Sequence, residues 1–480
     1  MQHYENSKLK RQQMLVVSYV AMTLAVIAIS AVCILLVLGY RFDFTSQQVE
    51  RGALLQLSSF PSGATIMLDN EQLPFKTPGK QDAKAVVHDV RFTKDGNRSW
   101  SKRFVARAGE LRWLNYARLV PTTVETSQVK EFPSLADELA SPDRNWMIVL
   151  PVAASPQFTL LDLRNVKEVK TSVVTIPDGL LTLPAGATHS YDIVEWDLSS
   201  KYVLVHHSYG ANLHEFIRVN RSDSSDSVNI STKLGVALST IHFSTANVLY
   251  GVENGNLRRL DLGSGSLSEP LATSVTALRL YGEKAAALVR HTNAKFEVSV
   301  LINDKLYSAA SYDDTVAVQA ELAQYFNDYY IAITRGASFE LIKNPNKTAG
   351  EGLERVVTLT YPGEIKWLDV SSSGRHIIAG NGTQFLTYDI ELAQRSDTSL
   401  PNLAASPNTE PPQWLDGFLL VSTADNKLRM VDFDGDNQQI ITDALPAQAV
   451  SLSSDNKLLY SFSRTQTGAV ALQVSKMTVE

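Results

Sequence analysis

The hydrophobic pattern of the chain changes character twice. Residues 14–40, MLVVSYVAMTLAVIAISAVCILLVLGY, contain no charged side chain, and about 20 apolar residues suffice for a helix to cross a hydrocarbon core. The run predicts an uncleaved transmembrane helix. A cleaved signal peptide has an apolar stretch of only about 7–15 residues followed by a small-residue cleavage site. This run ends LLVLGYRF, and Val32 before Cys33 argues against lipoprotein cleavage. The leading tail, residues 1–13, carries Lys8, Lys10 and Arg11 against Glu5, while Arg41 and Asp43 cancel on the far side. Positive charge favours the cytoplasmic side, so the expectation is a single-pass protein with its N-terminus in the cytoplasm and the rest outside it.

After a polar juxtamembrane spacer, residues 41–51, the period shortens to that of strands. Residues 54–58 and 64–68 are apolar or alternating, and Phe60-Pro61-Ser62-Gly63 between them is a turn cluster. With the next turn at Asp69-Asn70 the two strands read as neighbours in a meander. Further strands are expected at 85–94 and 99–106, separated by Lys94-Asp95-Gly96-Asn97. Residues 110–119 read as a last strand, with Leu111, Trp113 and Tyr116 on a half-buried face. Trp100 and Trp113 are assigned to the core for their large apolar area. Pro61 and Gly63 are read as fold determinants, because turn chemistry alone accounts for them.

These residues carry a family resemblance. Pro61-Ser62-Gly63-Ala64 followed by TIMLD, then Thr77-Pro78, then Gly96 ahead of Trp100, make residues 52–121 resemble a PEGA domain. Ser62 stands where the family name has glutamate, and Asn97 where the family carries an aromatic residue. The resemblance implies a small, non-catalytic β-sandwich of prokaryotic surface proteins, acting as a spacer or binding module near the envelope.

From residue 131 to 480 a polar turn followed by a short apolar strand recurs every 45 residues or so, the spacing of propeller blades. Strong copies are Ser141-Pro142-Asp143-Arg144-Asn145 before WMIVL, Leu198-Ser199-Ser200-Lys201 before YVLVHH, Ser371-Ser372-Ser373-Gly374-Arg375 before HIIAG, and Ser453-Ser454-Asp455-Asn456-Lys457 before LLYSF. Weaker copies begin at Ser244, Gly282, Asn327 and Leu415. A further strand ends near an Asp or Asn in FTLLDLRN, LRRLDLGSG, FLTYDIEL and LRMVDFDGD. The units resemble the WD40-like repeats of TolB-type propellers, without a repeated Trp-Asp signature. The expected class is therefore all-β: a transmembrane helix, a PEGA-like β-sandwich and a β-propeller of eight blades, or seven if one weak copy is a loop. Residues 122–130 are a linker or a strand that closes the ring on the last blade, removing sheet edges.

Composition narrows the function classes. The 480 residues carry a net charge of −6, with no basic stripe for nucleic acid. The single cysteine, Cys33, lies in the apolar run, so the domains beyond it hold together without disulfides. No metalloprotease helix, Walker loop, Rossmann glycine pattern or nucleophile elbow occurs. His206 and His207 are adjacent on a strand and point to opposite faces, so they do not share a metal. Asp432-Phe433-Asp434-Gly435-Asp436 lacks the glycine and glutamate spacing of a calcium loop and reads as a blade turn. Gly263-Ser264-Gly265-Ser266 reads as a blade-connecting turn. No catalytic, metal or cofactor residue is assigned. The expected role is a membrane-anchored scaffold of the envelope that binds protein or cell-wall glycan and is not an enzyme. The alternative is a surface hydrolase whose site is assembled from distant blades.

Overall fold

The structure, a computed structural model, describes residues 2–37, 40–43, 48–382, 384–400 and 411–479. It divides into two compact units, Met1–Thr123 with Thr478–Glu480, and Val124–Met477.

The first unit begins with helix α1, Gln2–Val37. It differs from the expected 14–40 at both ends. The tail expected to precede it is helical as well, because NSKLKRQQ contains no glycine or proline and is rich in good helix formers. Within it Val16–Ile34 is long and apolar enough to cross a bilayer, with mean hydropathy 2.3. A membrane span and a signal sequence share that property. The expected spacer 41–51 is replaced by a hairpin of β1, Tyr40–Asp43, and β2, Gln48–Phe60, in which Tyr40 pairs with Arg51. The polar residues 48–51 hid this strand, since a ladder needs only the backbone of such residues.

Six more strands complete a sandwich: β3, Thr65–Leu68; β4, Glu71–Lys76; β5, Gly79–Lys84; β6, Val87–Thr93; β7, Trp100–Val105; and β8, Leu111–Arg118. One sheet has the order β1-β2-β5 with β8 parallel to β2, and the other the order β4-β3-β6-β7. The meander is thus corrected. The strands flanking Pro61 lie in opposite sheets, and the turn carries the chain across the sandwich. Leu55, Leu57, Ile66, Phe92, Trp100 and Leu114 are fully buried between the sheets. Trp100 stacks on Phe92 at 5.2 Å and meets Tyr116 edge-on at 5.6 Å. Trp113 is not core: it is 36% exposed, and Leu114 takes the inward position. In β8 Tyr116 packs on the core as expected, but Leu111 and Trp113 face outward, and Arg112 turns inward with its guanidinium over the Phe104 ring.

The second unit is an eight-bladed β-propeller. Seven four-stranded antiparallel sheets follow in chain order, at 137–175, 190–229, 238–267, 275–313, 318–360, 367–399 and 413–443. The eighth contains three strands from 451–476, and its outermost strand is β9, Thr126–Phe132. Val470 pairs with Phe132 and Val474 with Ser127. The ring is closed by joining the two ends of the unit, so no blade is left with an unpaired partner at the seam.

Local chemistry explains the repeat. Each recurring polar turn links the first and second strands of a blade. In blades 1, 6 and 8 its leading serine, Ser141, Ser371 or Ser453, accepts the N–H of the residue five positions on, at 3.0, 3.1 and 3.0 Å. In blade 2 Asp197 does so for Tyr202 at 2.6 Å. The fourth turn position is left-handed each time: Arg144, Ser200, Gly374 and Asn456 have φ of 58°, 57°, 69° and 61°. The Asp or Asn ending the third strand caps the next turn, as Asp261 does by accepting the N–H groups of Gly263 and Ser264 at 2.8 and 3.0 Å. That places Gly263-Ser264-Gly265-Ser266 inside blade 3, between its third and fourth strands, and not between blades. Asp432 likewise receives the side chain of Asn437 at 2.8 Å and the N–H of Gly435 at its carbonyl, which makes 432–436 a turn within blade 7.

Candidate functional site

The family-motif residues of the sandwich come together although they are separated in sequence. Gly63 N–H donates to the carbonyl of Thr77 at 2.8 Å, and Thr77 N–H to that of Ala64 at 2.9 Å. Thr77 Oγ1 accepts the N–H of Ala64 at 2.9 Å and pairs with Ser59 Oγ at 2.7 Å. The peptides before Pro61 and Pro78 are both cis, and Gly63 has φ of 83°. Gly96, φ 74°, makes the turn before buried Trp100, and its carbonyl accepts Thr122 N–H at 2.8 Å. Pro61, Gly63, Ala64, Thr77 and Pro78 thus form one junction with Ala64 and Thr77 buried at its centre. Gly96 and Trp100 belong to the opposite strand pair. The donors and acceptors of the junction are turned on one another, which is a structural arrangement.

In the propeller, antiparallel pairing puts the turn between second and third strands at the same end of a blade as the connection to the next blade. This blade-junction face carries a buried network in blade 2. Glu215, 2% exposed, accepts Thr182 N–H at 2.8 Å, Thr182 Oγ1 at 2.7 Å, Asn229 Nδ2 at 2.8 Å and His207 Nδ1 at 2.9 Å. Burial would raise its pKa, but the donors, His207 foremost, outweigh burial and hold the carboxyl down at about 2. An ionised carboxylate only accepts, so His207 carries its proton on Nδ1. Its Nε2 pairs with His189 Nδ1 at 3.0 Å. Tyr191 stacks on His207 at 4.4 Å. His206, the adjacent residue, points the other way, to Asp192 at 3.2 Å and onto Phe216. The network ties the connection 176–189 to the blade: Thr182 is held by Glu215, and Leu180 O by Asn229. Sequence reasoning passed over it, since His189 and Glu215 lie in unremarkable contexts. Only the strand pairing His207↔Glu215 joins them.

The axis is lined by the innermost strand of each blade. Three neighbouring blades supply charged groups there: Arg279 on Val275–Tyr281, Glu321 on Val318–Tyr325 and Asp369 on Trp367–Val370. Arg279 Nε lies 3.3 Å from Glu321 Oε1, and the guanidinium remains 65% exposed. Burial pushes Glu321 up to about 8; Arg279 opposes the shift and Asp369 adds to it. Burial likewise pushes Asp369 up to about 6 against the N–H of Val370 and the charge of Arg279. At neutral pH Glu321 is therefore largely a protonated carboxyl able to donate a hydrogen bond. Further round the ring Glu195 meets His242 at 3.0 Å. The channel is thus charged where blades 4, 5 and 6 meet the axis. The sequence signal was faint, three charged residues roughly one blade apart on otherwise apolar strands. Among the described residues, no cluster of His, Cys, Asp and Glu is placed to hold a metal ion. A cleft of about 280 Å³ opens on the blade-junction face beside blade 5, lined by Val316, Gln319, Thr334, Glu364 and Lys366 among others.

No family model matches the chain, and no curated protein matches it. Solved structures do. The C-terminal WD40 domain of Sif2 is similar over 74% of this chain and 99% of that one, with 8% identity and a TM-score of 0.49. The β-propeller domain of Cps50 (Swd1) from Myceliophteria thermophila is covered completely by 74% of this chain, with 11% identity and a TM-score of 0.35. Dihydro-heme d1 dehydrogenase NirN is matched over 65% of this chain and 67% of its own length, with 12% identity and a TM-score of 0.43. Likeness at this level says nothing about ligands or chemistry. The propeller assignment stands on the eight paired sheets.

Proposed function

We propose that the chain is a membrane-anchored, extracytoplasmic binding or scaffolding protein of the cell envelope, whose propeller offers its blade-junction face to an envelope protein or to cell-wall glycan. The observation that carries this reading is an exposed apolar set on that face at blades 1 and 2. Val152, Leu183 and Leu213 are 50%, 49% and 53% exposed. Leu183 follows Thr182, which buried Glu215 holds, and Leu213 lies two residues before Glu215 on the same strand, so both are presented on a rigid support, as an interaction surface requires. The apolar segment Val16–Ile34 supports an anchor, and the Lys and Arg residues ahead of it support a cytoplasmic N-terminus. The PEGA-like residues Pro61, Gly63, Ala64, Thr77, Pro78, Gly96 and Trp100 support a place near a prokaryotic envelope. On this reading the protein is not an enzyme and has no nucleic-acid partner.

The test is photo-crosslinking in native membranes with a benzophenone residue at Leu183 or Leu213. Phe326, 79% exposed on a turn at the opposite end of blade 5, serves as the control position. Adducts to one protein or to glycan from the first two positions and not from Phe326 support the proposal. Equal or absent labelling at all three overturns it.

A second reading, a surface hydrolase, is favoured by the raised carboxyls of Glu321 and Asp369. It predicts turnover of chromogenic glycosides or esters by the full chain that disappears in Glu321→Gln and Asp369→Asn. No turnover above background removes it.

A further inference from the structure

The sandwich has two ends, and one of them is apolar. The chain passes between the sheets there at 84–87 and at 105–111. Val86, Val87, Val105 and Leu111 are 52%, 47%, 58% and 44% exposed at that end. Three of them are neighbours by backbone pairing: Val87 is the cross-strand partner of Val105, and the N–H of Ala106 donates to the carbonyl of Val86 at 2.9 Å; Leu111 stands at the same end of the other sheet, paired with Leu54. The burial alternation holds, but its outward positions at this end, Val87, Val105 and Leu111, are apolar. These side chains point away from the sandwich core, and none of the described residues covers them. Trp113 continues the same face two residues beyond Leu111. Exposed Lys84 and Arg107 stand beside the apolar set.

The end is also where the anchor joins. Gly52 pairs with Lys84, and its carbonyl accepts the N–H of Gly109 at 2.8 Å. The residue before it, Arg51, pairs with Tyr40, three residues after the last residue of α1. The apolar rim therefore lies close in sequence and pairing to the end of the apolar helix, through Tyr40 and Arg51.

We propose that this end of the sandwich is a lipid-contacting surface: Val86, Val87, Val105 and Leu111 enter the headgroup region of the outer leaflet, with Trp113 at the interface and Lys84 and Arg107 on lipid phosphates. The proposal rests on the anchored reading above. The physical case is that a single helix leaves a domain free to pivot, whereas a second apolar contact at the helix exit fixes its orientation. Valine and leucine at a loop rim bordered by basic residues suit a bilayer interface, where apolar area and attraction to anionic lipid act together.

The test uses the full chain in proteoliposomes. An environment-sensitive fluorophore is placed on Val105→Cys or, at the opposite end of the sandwich, on Ser62→Cys, both with Cys33→Ala. A separate sample carries the label on native Cys33. The label at Val105→Cys is expected to be blue-shifted and quenched by headgroup nitroxides at least about twofold more than that at Ser62→Cys, more strongly in anionic than in neutral vesicles. Adding Val87→Asp should relieve the quenching. Equal quenching at the two ends, with the Cys33 label still quenched by acyl-chain nitroxides, overturns the lipid contact and leaves the anchor intact. An unquenched Cys33 label overturns the anchor, and the lipid contact with it.

Discussion

His207 donates from Nδ1 to Glu215 across 2.9 Å, with both side chains almost wholly buried. The pair sits beneath the connection that carries Leu183, so it is what makes that part of the blade-junction face rigid. Four donors converge on one carboxylate, and a carboxylate so held is favoured in its charged form.

Glu215→Ala should leave His207, Thr182 and Asn229 without their acceptor and destabilise the propeller by about 3 kcal/mol. Calorimetry of the full chain would register this as a lowered propeller transition with the sandwich transition unmoved. The pH dependence follows from the depressed pKa of about 2. The stabilisation is present above the ordinary glutamate range and is lost as pH falls from there through about 2. The wild-type propeller should lose stability in that acid window, and the variant should lose less.

Glu321 works in the opposite sense. Its folded pKa is raised to about 8, so the folded state holds a proton that the unfolded chain has released. The stability from this group is greatest below the ordinary glutamate range and declines as pH rises toward about 8. Glu321→Gln should flatten that decline and raise the melting temperature at pH 9 relative to wild type. Because Arg279 is largely exposed, losing its partner costs little. Melting curves from pH 5 to 9 for the two proteins give the comparison; parallel curves would remove the buried-carboxyl account.

Thr77→Val keeps the shape of the junction in the sandwich but deletes the hydroxyl that accepts the N–H of Ala64 and pairs with Ser59 Oγ, whose own proton goes to the carbonyl of Pro61. A buried donor left without an acceptor costs about 1–3 kcal/mol. The expected result is earlier proteolysis within 52–121 with the propeller core resistant. Thr77→Ser, which retains the hydroxyl, should stay close to wild type.

Gly374 occupies the left-handed turn position that Arg144, Ser200 and Asn456 fill in other blades. Backbone conformation alone therefore does not demand glycine there. A Cβ at Gly374 would lie 2.1 Å from the carbonyl oxygen of Gln324 in the preceding blade. Gly374→Asn, a residue that tolerates positive φ, should still destabilise blade 6 by more than about 2 kcal/mol, because the clash is with backbone. Asn456→Gly, at the equivalent turn of blade 8, should change stability by less than about 1 kcal/mol. Urea unfolding of the two variants measures the contrast.

Much of the architecture was legible because it is written in local chemistry. A charge-free run declares a helix for an apolar medium. A serine or aspartate that caps the following strand and a left-handed fourth residue recur in blades 1, 2, 6 and 8, and an Asp or Asn ends the third strand in several. The motif residues Pro61, Gly63, Thr77 and Trp100 were each visible for the same reason, since turn geometry and aromatic area are properties of single residues. Local pattern misjudged the face of β8 and the polar hairpin strand before Gly52, because both are settled by pairing partners far along the chain.

The amino-acid sequence by itself determined the apolar segment, the all-β character and the repeat, and left seven or eight blades open until the paired sheets fixed eight. The first three depend on interactions within a few residues. Tertiary structure alone decided that β9 completes the eighth blade, that the strands around Pro61 lie in opposite sheets, and that Arg279, Glu321 and Asp369 share the axis. It also decided that His189, His207 and Glu215 form one chain of hydrogen bonds. Each of these joins residues on separate strands, some of them hundreds of positions apart. Their meeting is set by ring closure and burial, and by the low-dielectric surroundings that shift carboxyl pKa values.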